Sequence, residues 1–115
     1  MPIKLEFPRE YYLGWQNWLE KAWRWMTKFK HYQLAVSGAS SVSANTTSEQ
    51  TFTVTGLATT DVIISVNKPT HQAGLGIVNA RVSAVDTIAI TYMNTTGGGI
   101  TPTSETYEIV VVRKD

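Results

Sequence analysis

The stretch Ile77-Val78-Asn79-Ala80-Arg81-Val82-Ser83, then Ala84-Val85-Asp86, then Thr87-Ile88-Ala89-Ile90-Thr91-Tyr92-Met93-Asn94 decides the fold. Two segments rich in β-branched residues flank a short turn signal, and neither shows helical periodicity. Working outward, the same pattern recurs near Val42, at Gln50–Thr55 with Phe52 and Val54 on one face, at Asp61–Asn67 and at Thr106–Arg113. Turn signals separate these runs: Gly56, Asn67-Lys68-Pro69, Gly74-Leu75-Gly76, Asn94-Thr95-Thr96-Gly97-Gly98-Gly99 and Pro102. Short strands roughly 8–14 residues apart, with no helix between them, imply an antiparallel sandwich or barrel. The expected fold is mainly β: an antiparallel β-sandwich, jelly-roll-like or Greek-key. Val62-Ile63-Ile64, Ile88-Ala89-Ile90 and Ile109-Val110-Val111-Val112 are apolar on both faces of their strands. An antiparallel sheet of that kind needs cover on its second face, from a helix or from a neighbouring subunit.

Upstream of this region the chemistry changes. All four tryptophans fall between Trp15 and Trp25, with Tyr11 and Tyr12 just before them. Ile3, Leu5 and Phe7 alternate with Lys4 and Glu6, the period of an extended arm. Pro8 suits the first turn of a helix and Glu10 favours its positive end, whereas Gly14 weakens the interior by about 1 kcal/mol relative to Ala. Tyr12, Trp15, Leu19, Ala22, Met26 and Phe29 follow the 3-4 spacing of a helical seam. Tyr11, Trp18, Trp25 and Tyr32 form a second aromatic row beside it. The reading is one amphipathic helix from Pro8 to about Val36, with His31 solvated near its end. Residues 1–37 are expected to be arm and attachment helix, and residues 38–115 a β-sandwich head.

The chain has 115 residues, 43% of them hydrophobic and 17% charged, a profile that excludes a disordered chain. With no cysteine, disulfides, thiolate metal sites and thiol catalysis are excluded. The net charge of +1 hides a division. Residues 1–36 carry six basic and three acidic side chains, a net of +3; residues 37–115 carry four and six, a net of −2. That modest positive charge argues against nucleic acid as a partner. Neither a signal peptide nor a run of roughly 20 apolar residues is visible, so assembly in a cytoplasm is expected.

The ordered series Thr51-Phe52-Thr53-Val54-Thr55-Gly56-Leu57, Val66-Asn67-Lys68-Pro69, Gln72-Ala73-Gly74-Leu75-Gly76-Ile77-Val78-Asn79-Ala80-Arg81-Val82-Ser83-Ala84, Asp86-Thr87-Ile88-Ala89-Ile90-Thr91-Tyr92, Ile100-Thr101-Pro102-Thr103 and Glu105-Thr106-Tyr107 resembles a small β-sandwich module of tailed-bacteriophage virion proteins. Such modules occur in head decoration (cement) proteins and in fibre or adaptor segments. The resemblance covers about residues 40–113 and stops short of the Trp-rich helix. It implies a structural role in the virion, no catalytic motif, no cofactor, and a homo-oligomer, a trimer by that resemblance.

Enzyme chemistry finds little support. His31 and His71 are far apart in the sequence, and no clustered carboxylates or metal-ligand spacings occur. Asp61 and Asp86 open strands, where Asp caps turns. Arg81 is expected to face outward or to pair with an acid such as Asp86. Gly74-Leu75-Gly76 serves turning and close approach, and Gly97-Gly98-Gly99 reads as a flexible loop tip; neither lies in the strand–loop–helix context of a phosphate cradle. Asn45-Thr46-Thr47 and Asn94-Thr95-Thr96 match the glycosylation sequon but read as incidental without a secretory signal. Binding is therefore assigned to Tyr11, Tyr12, Trp15, Trp18, Leu19, Ala22, Trp25, Met26, Phe29 and Tyr32, residue types that concentrate contact energy. The expected partner is the major capsid protein or another virion protein. The seam spacing favours protein over a membrane surface, and packing on the chain's own sheet is the third option.

Overall fold

A computed structural model describes residues 17–22 and 28–114. It contains one short helix, α1 (residues 17–22), and six strands. These are β1 (Phe29–Val36), β2 (Thr46–Thr53), β3 (Asp61–Asn67), β4 (Leu75–Ala84), β5 (Thr87–Asn94) and β6 (Glu105–Arg113). They form two antiparallel three-stranded sheets, ordered β1-β6-β3 and β2-β5-β4. Only β4 and β5 are joined as neighbours in one sheet; the other four connections cross between the sheets. The fold is thus mainly β with one short helix, as the strand periodicity predicts.

The expected spans Asp61–Asn67 and Thr87–Asn94 coincide with β3 and β5, and the runs at Ile77–Ser83 and Thr106–Arg113 sit inside β4 and β6. Strand β2 begins at Thr46 and ends at Thr53, earlier at both ends than the expected Gln50–Thr55. Val42 makes an isolated bridge to Ile100 rather than a strand.

The largest correction falls on residues 29–36. They are not the end of a helix but the edge strand β1, paired with β6 from Phe29↔Val112 to Val36↔Glu105. Phe29 and Tyr32 therefore leave the helical seam in which the spacing put them, and His31 is a strand residue opposite Val110. The physical reason is the alternation Tyr32, Leu34, Val36. In a strand these three side chains share one face, and the buried Leu34 and Val36 enter the core beside a part-buried Tyr32. On a helix the same residues would spread around the axis. The sheet thus begins at residue 29.

The core lies between the two sheets. Leu34, Val36, Tyr107, Ile109 and Val111 come from one sheet and Ile88, Ile90 and Tyr92 from the other, with Val42, Val54 and Leu57 closing from the loops. All eleven are at most 5% exposed. Burial of each large aliphatic side chain contributes about 1.5–3 kcal/mol. Tyr92 and Tyr107 meet across the core, hydroxyl to hydroxyl, at 3.0 Å. This places one hydrogen bond between the sheets and satisfies two phenols that would otherwise be costly to bury. Burial raises both hydroxyls above the ordinary tyrosine pKa, Tyr92 the further, so the pair stays neutral.

On the other face of the β2-β5-β4 sheet, Arg81 Nε and Nη2 donate to the two carboxylate oxygens of Glu49 at 3.0 and 2.9 Å. Their strands flank β5, so this bond passes over it. Ala89, opposite Arg81 in register, is fully buried there, and its small side chain leaves the room required. Arg81 does face outward, and its partner is Glu49 rather than Asp86.

Candidate partner-binding surface

Of the ten side chains that the sequence assigns to binding, α1 carries Trp18, Leu19 and Ala22. Trp18 is 64% exposed and Leu19 47%, unusual exposure for such apolar groups, with Ala22 half-buried. Phe29 and Tyr32 lie on β1, which separates them from the helix. Tyr11, Tyr12, Trp15, Trp25 and Met26 lie outside the described residues, as does the arm around Ile3, Leu5 and Phe7. Tyr32 has an internal task. Its hydroxyl donates to the Gly56 carbonyl at 3.2 Å, and its ring stands 3.2 Å from where a Cβ on Gly56 would sit. Gly56 adopts a φ of +104°, open to glycine and strained for other residues.

The ionisable groups of the head are used for fastening. At the end where β1 begins and β6 finishes, the buried Asp61 accepts from Arg113 Nε at 2.7 Å and Nη2 at 3.0 Å, and from the Ala58 amide at 3.0 Å. The Arg113 guanidinium holds the Asp61 carboxyl below the usual carboxylate range. Arg113 also donates to the Gly56 carbonyl at 2.9 Å. Asp86, with a positive φ of 58°, accepts from the Gly56 amide at 2.8 Å, while its own backbone binds Val54 and Leu57. So Asp61 and Asp86 cap turns, as their positions predict. On the outer face of the first sheet, Glu108 contacts His31 and accepts from Gln33 at 3.0 Å.

The opposite end is held by uncharged groups and one ion pair. Asn94 is 1% exposed. Its amide donates to the carbonyls of Val42 at 2.9 Å and Gly98 at 2.7 Å, and its oxygen accepts from the Thr96 amide and hydroxyl, both at 2.8 Å. The loop 94–100 is therefore latched from within, where the sequence reads a flexible tip. Lys68 pairs with Glu105 at 3.0 Å, and Gln72 links Thr101 and Thr103 through contacts of 2.9 Å. Hydrogen bonds from Thr70, with Lys68 beside it, hold the Glu105 carboxyl below its ordinary pKa. His71 is exposed in this region.

Among the described residues no three His, Asp or Glu side chains form a group able to hold a metal ion. No described helix is long and apolar enough to cross a membrane. Comparison with protein-family models, with curated proteins and with solved structures found no match.

The surface that sequence reasoning overlooked is the β3/β4 side. Three register shifts insert one extra residue each, Ile64 in β3 and Val78 and Ser83 in β4, and the Ile64 and Val78 side chains are more than half exposed. A cleft of about 300 Å³ runs between the two strands. The signal was partly present, since Val62-Ile63-Ile64 is apolar on both faces, but periodicity does not locate a bulge.

Proposed function

We propose that this chain is a structural protein of a tailed-phage virion: a head decoration (cement) protein. It forms a homo-oligomer, by the module resemblance a trimer, and attaches to the major capsid protein or another virion protein through its Trp-rich segment. The β-head is read as jelly-roll-like, because β1 lies with β6, β2 with β5, and β3 alongside β4, a ribbon wound once around the core. The observation that carries the reading is the exposure of Trp18 and Leu19, set against a head in which Asp61, Arg113, Lys68 and Glu105 are spent on closing its own ends. Aromatic area covered by a partner contributes about 25 cal/mol per Å² and outweighs the ordering of one helix once several hundred Å² are buried.

The test is attachment of purified protein to undecorated capsids. Changing Trp15, Trp18 and Trp25 to Ala is expected to leave the head's melting temperature unchanged and to abolish occupancy. Normal occupancy of that variant would exclude the helix as the anchor. A second reading, a fibre or adaptor segment binding host glycan, draws on the latched loop 94–100, which presents Thr95, Gly97 and Gly98 on the surface in a fixed shape. Removing Gly97-Gly98-Gly99 would then change host range and leave capsid occupancy intact.

A further inference from the structure

Four strands border the two sheets, and their edges are not alike. Strands β3 and β4 are bulged, which interrupts the row of backbone donors and acceptors that an added strand would need. Strands β1 and β2 each pair over eight residues without a shift of register, and among the described residues neither has a strand on its outer side. Their inward-facing positions tell these two apart. On β2 they include Ser48 and Gln50, and the Gln50 side chain is already bound to the backbone of Ser40. On β1 they are Tyr32, Leu34 and Val36, following Lys30. The edge of β1 is therefore the one that suits an extended segment with an apolar side chain at every second residue.

We infer that the occupant of this edge is the N-terminal arm of the same chain, residues 3–7, added antiparallel to β1. The arm has the required period, with Ile3, Leu5 and Phe7 on one side and Lys4 and Glu6 on the other, and Pro8 ends it. With the apolar side turned to the core, charge chooses among registers two residues apart. Leu5 opposite Tyr32 sets Ile3 against Leu34 and Phe7 over the stem of Lys30. Glu6 then stands opposite His31, and Lys4 opposite Gln33 in the row of Glu108. A slip one way sets Lys4 opposite His31, and a slip the other way brings Glu6 into the row of Glu108, so both oppose like charges. The tether fits as well, because antiparallel pairing returns Phe7 to the point where β1 begins. Helix α1 is about 9 Å long and residues 8–16 can span up to about 30 Å, enough to lead back to that point. A tether of this kind holds the arm at an effective concentration of order millimolar, well ahead of a separate chain. The Trp-rich segment then becomes a loop held at both ends, which presents Trp18 and Leu19 with less ordering left for a partner to supply. The contact rests on the arm and on β1, and it stands whether or not that loop meets a capsid.

The chain has no cysteine, so an introduced pair reads the contact directly. Under mild oxidation of the full chain, K4C/Q33C is expected to form a disulfide within one chain, since opposed residues of neighbouring strands lie close enough to be bridged. I3C/Q33C is the control: Ile3 belongs to the other face of the arm, and this pair is expected to stay reduced. Hydrogen exchange gives a second reading without cysteines. Removing residues 1–7 is expected to speed exchange about 10-fold or more at the β1 amides that point away from β6, and to leave those bonded to β6 unchanged. The inference is overturned by a K4C/Q33C chain that stays reduced, by a control that closes as readily, or by β1 exchange that ignores the removal. A disulfide formed between two chains would also overturn it, assigning the arm to a neighbouring copy. Loss of capsid occupancy on changing Trp15, Trp18 and Trp25, with the disulfide still formed, bears only on attachment, so the two proposals fail separately.

Discussion

The two ends of the β-head are closed by different chemistry. At one end a buried carboxylate, Asp61, ties β3 to β6 through Arg113, and Asp86 pins the turn at Gly56. At the other the main fastener is Asn94, a neutral amide at the end of β5 that reaches the chain before β2 and the loop beyond itself. A carboxylate can be switched off by a proton and an amide cannot. The Asp61 and Asn94 fasteners should thus respond differently to acid, while the Lys68–Glu105 pair gives the Asn94 end one acid-sensitive contact of its own.

Asn94→Ala is the strongest way to break this picture. It removes the Thr96 amide's acceptor and one of two donors to each of the Val42 and Gly98 carbonyls, and it opens a buried void. The expected loss is about 3 kcal/mol of unfolding free energy, nearly constant with pH, together with proteolytic cleavage near Gly97. An undisturbed melting curve would mean the latch closes nothing. Asp61→Asn comes next, at about 2 kcal/mol near neutral pH, because the buried side of the ion pair loses its charge while Arg113 keeps its own.

The pH dependence draws on both ends, through Asp61 at one and Glu105 at the other. Asp61 and Glu105 have pKa values lowered by folding, so they stabilise the protein above the ordinary carboxyl pKa of about 4, and that contribution is lost as pH falls through their lower folded values. Denaturation curves of the wild type should steepen in this acid window, and those of Asp61→Asn less so. Tyr92 and Tyr107 act at the other extreme. Their folded pKa values are raised, so their contribution is complete below about pH 10 and is lost at higher pH, where the unfolded phenols ionise. Tyr92→Phe or Tyr107→Phe alone should cost roughly 1–2 kcal/mol by leaving the other hydroxyl unpaired, and the double change less than the sum. The smallest effect is expected at the surface: Glu49→Gln should leave the melting temperature unchanged within error, since both partners of that pair face solvent.

Strand periodicity made five of the six strands legible, because Phe52, Ile88, Ile90, Ile109 and Val111 carry a signal that needs no knowledge of partners. Strand β1 was lost to a stronger local pattern. The seam that runs through Trp15, Leu19 and Ala22 extends to Phe29 at the same spacing, and only the pairing with β6, whose Val112 lies 83 residues beyond Phe29 in the chain, decides against it. Partner identity was the other gap. Arg81 lies five residues from Asp86 but bonds Glu49, because the order β2-β5-β4 brings those side chains over β5. Asn94 drew notice only as part of a sequon and a turn, since burial of a polar side chain is invisible until its surroundings are known. Of the binding face, the sequence supplied the residue types, and the structure adds exposure at Trp18 and Leu19 while packing a part-buried Tyr32 against the core.

The central position of β6 has a consequence in time. It is the last of the six strands to leave the ribosome, yet both β1 and β3 pair only with it in their sheet. Until Glu105–Arg113 emerges, those two strands have no ladder to join, and closing the β1–β6 loop spans most of the head. Folding of this kind is slow and post-translational, and it leaves the aliphatic β3 exposed to neighbouring chains while it waits. A nascent chain halted before Glu105 should therefore be protease-sensitive throughout its first sheet and prone to aggregate, even though β4 and β5 can already form their hairpin.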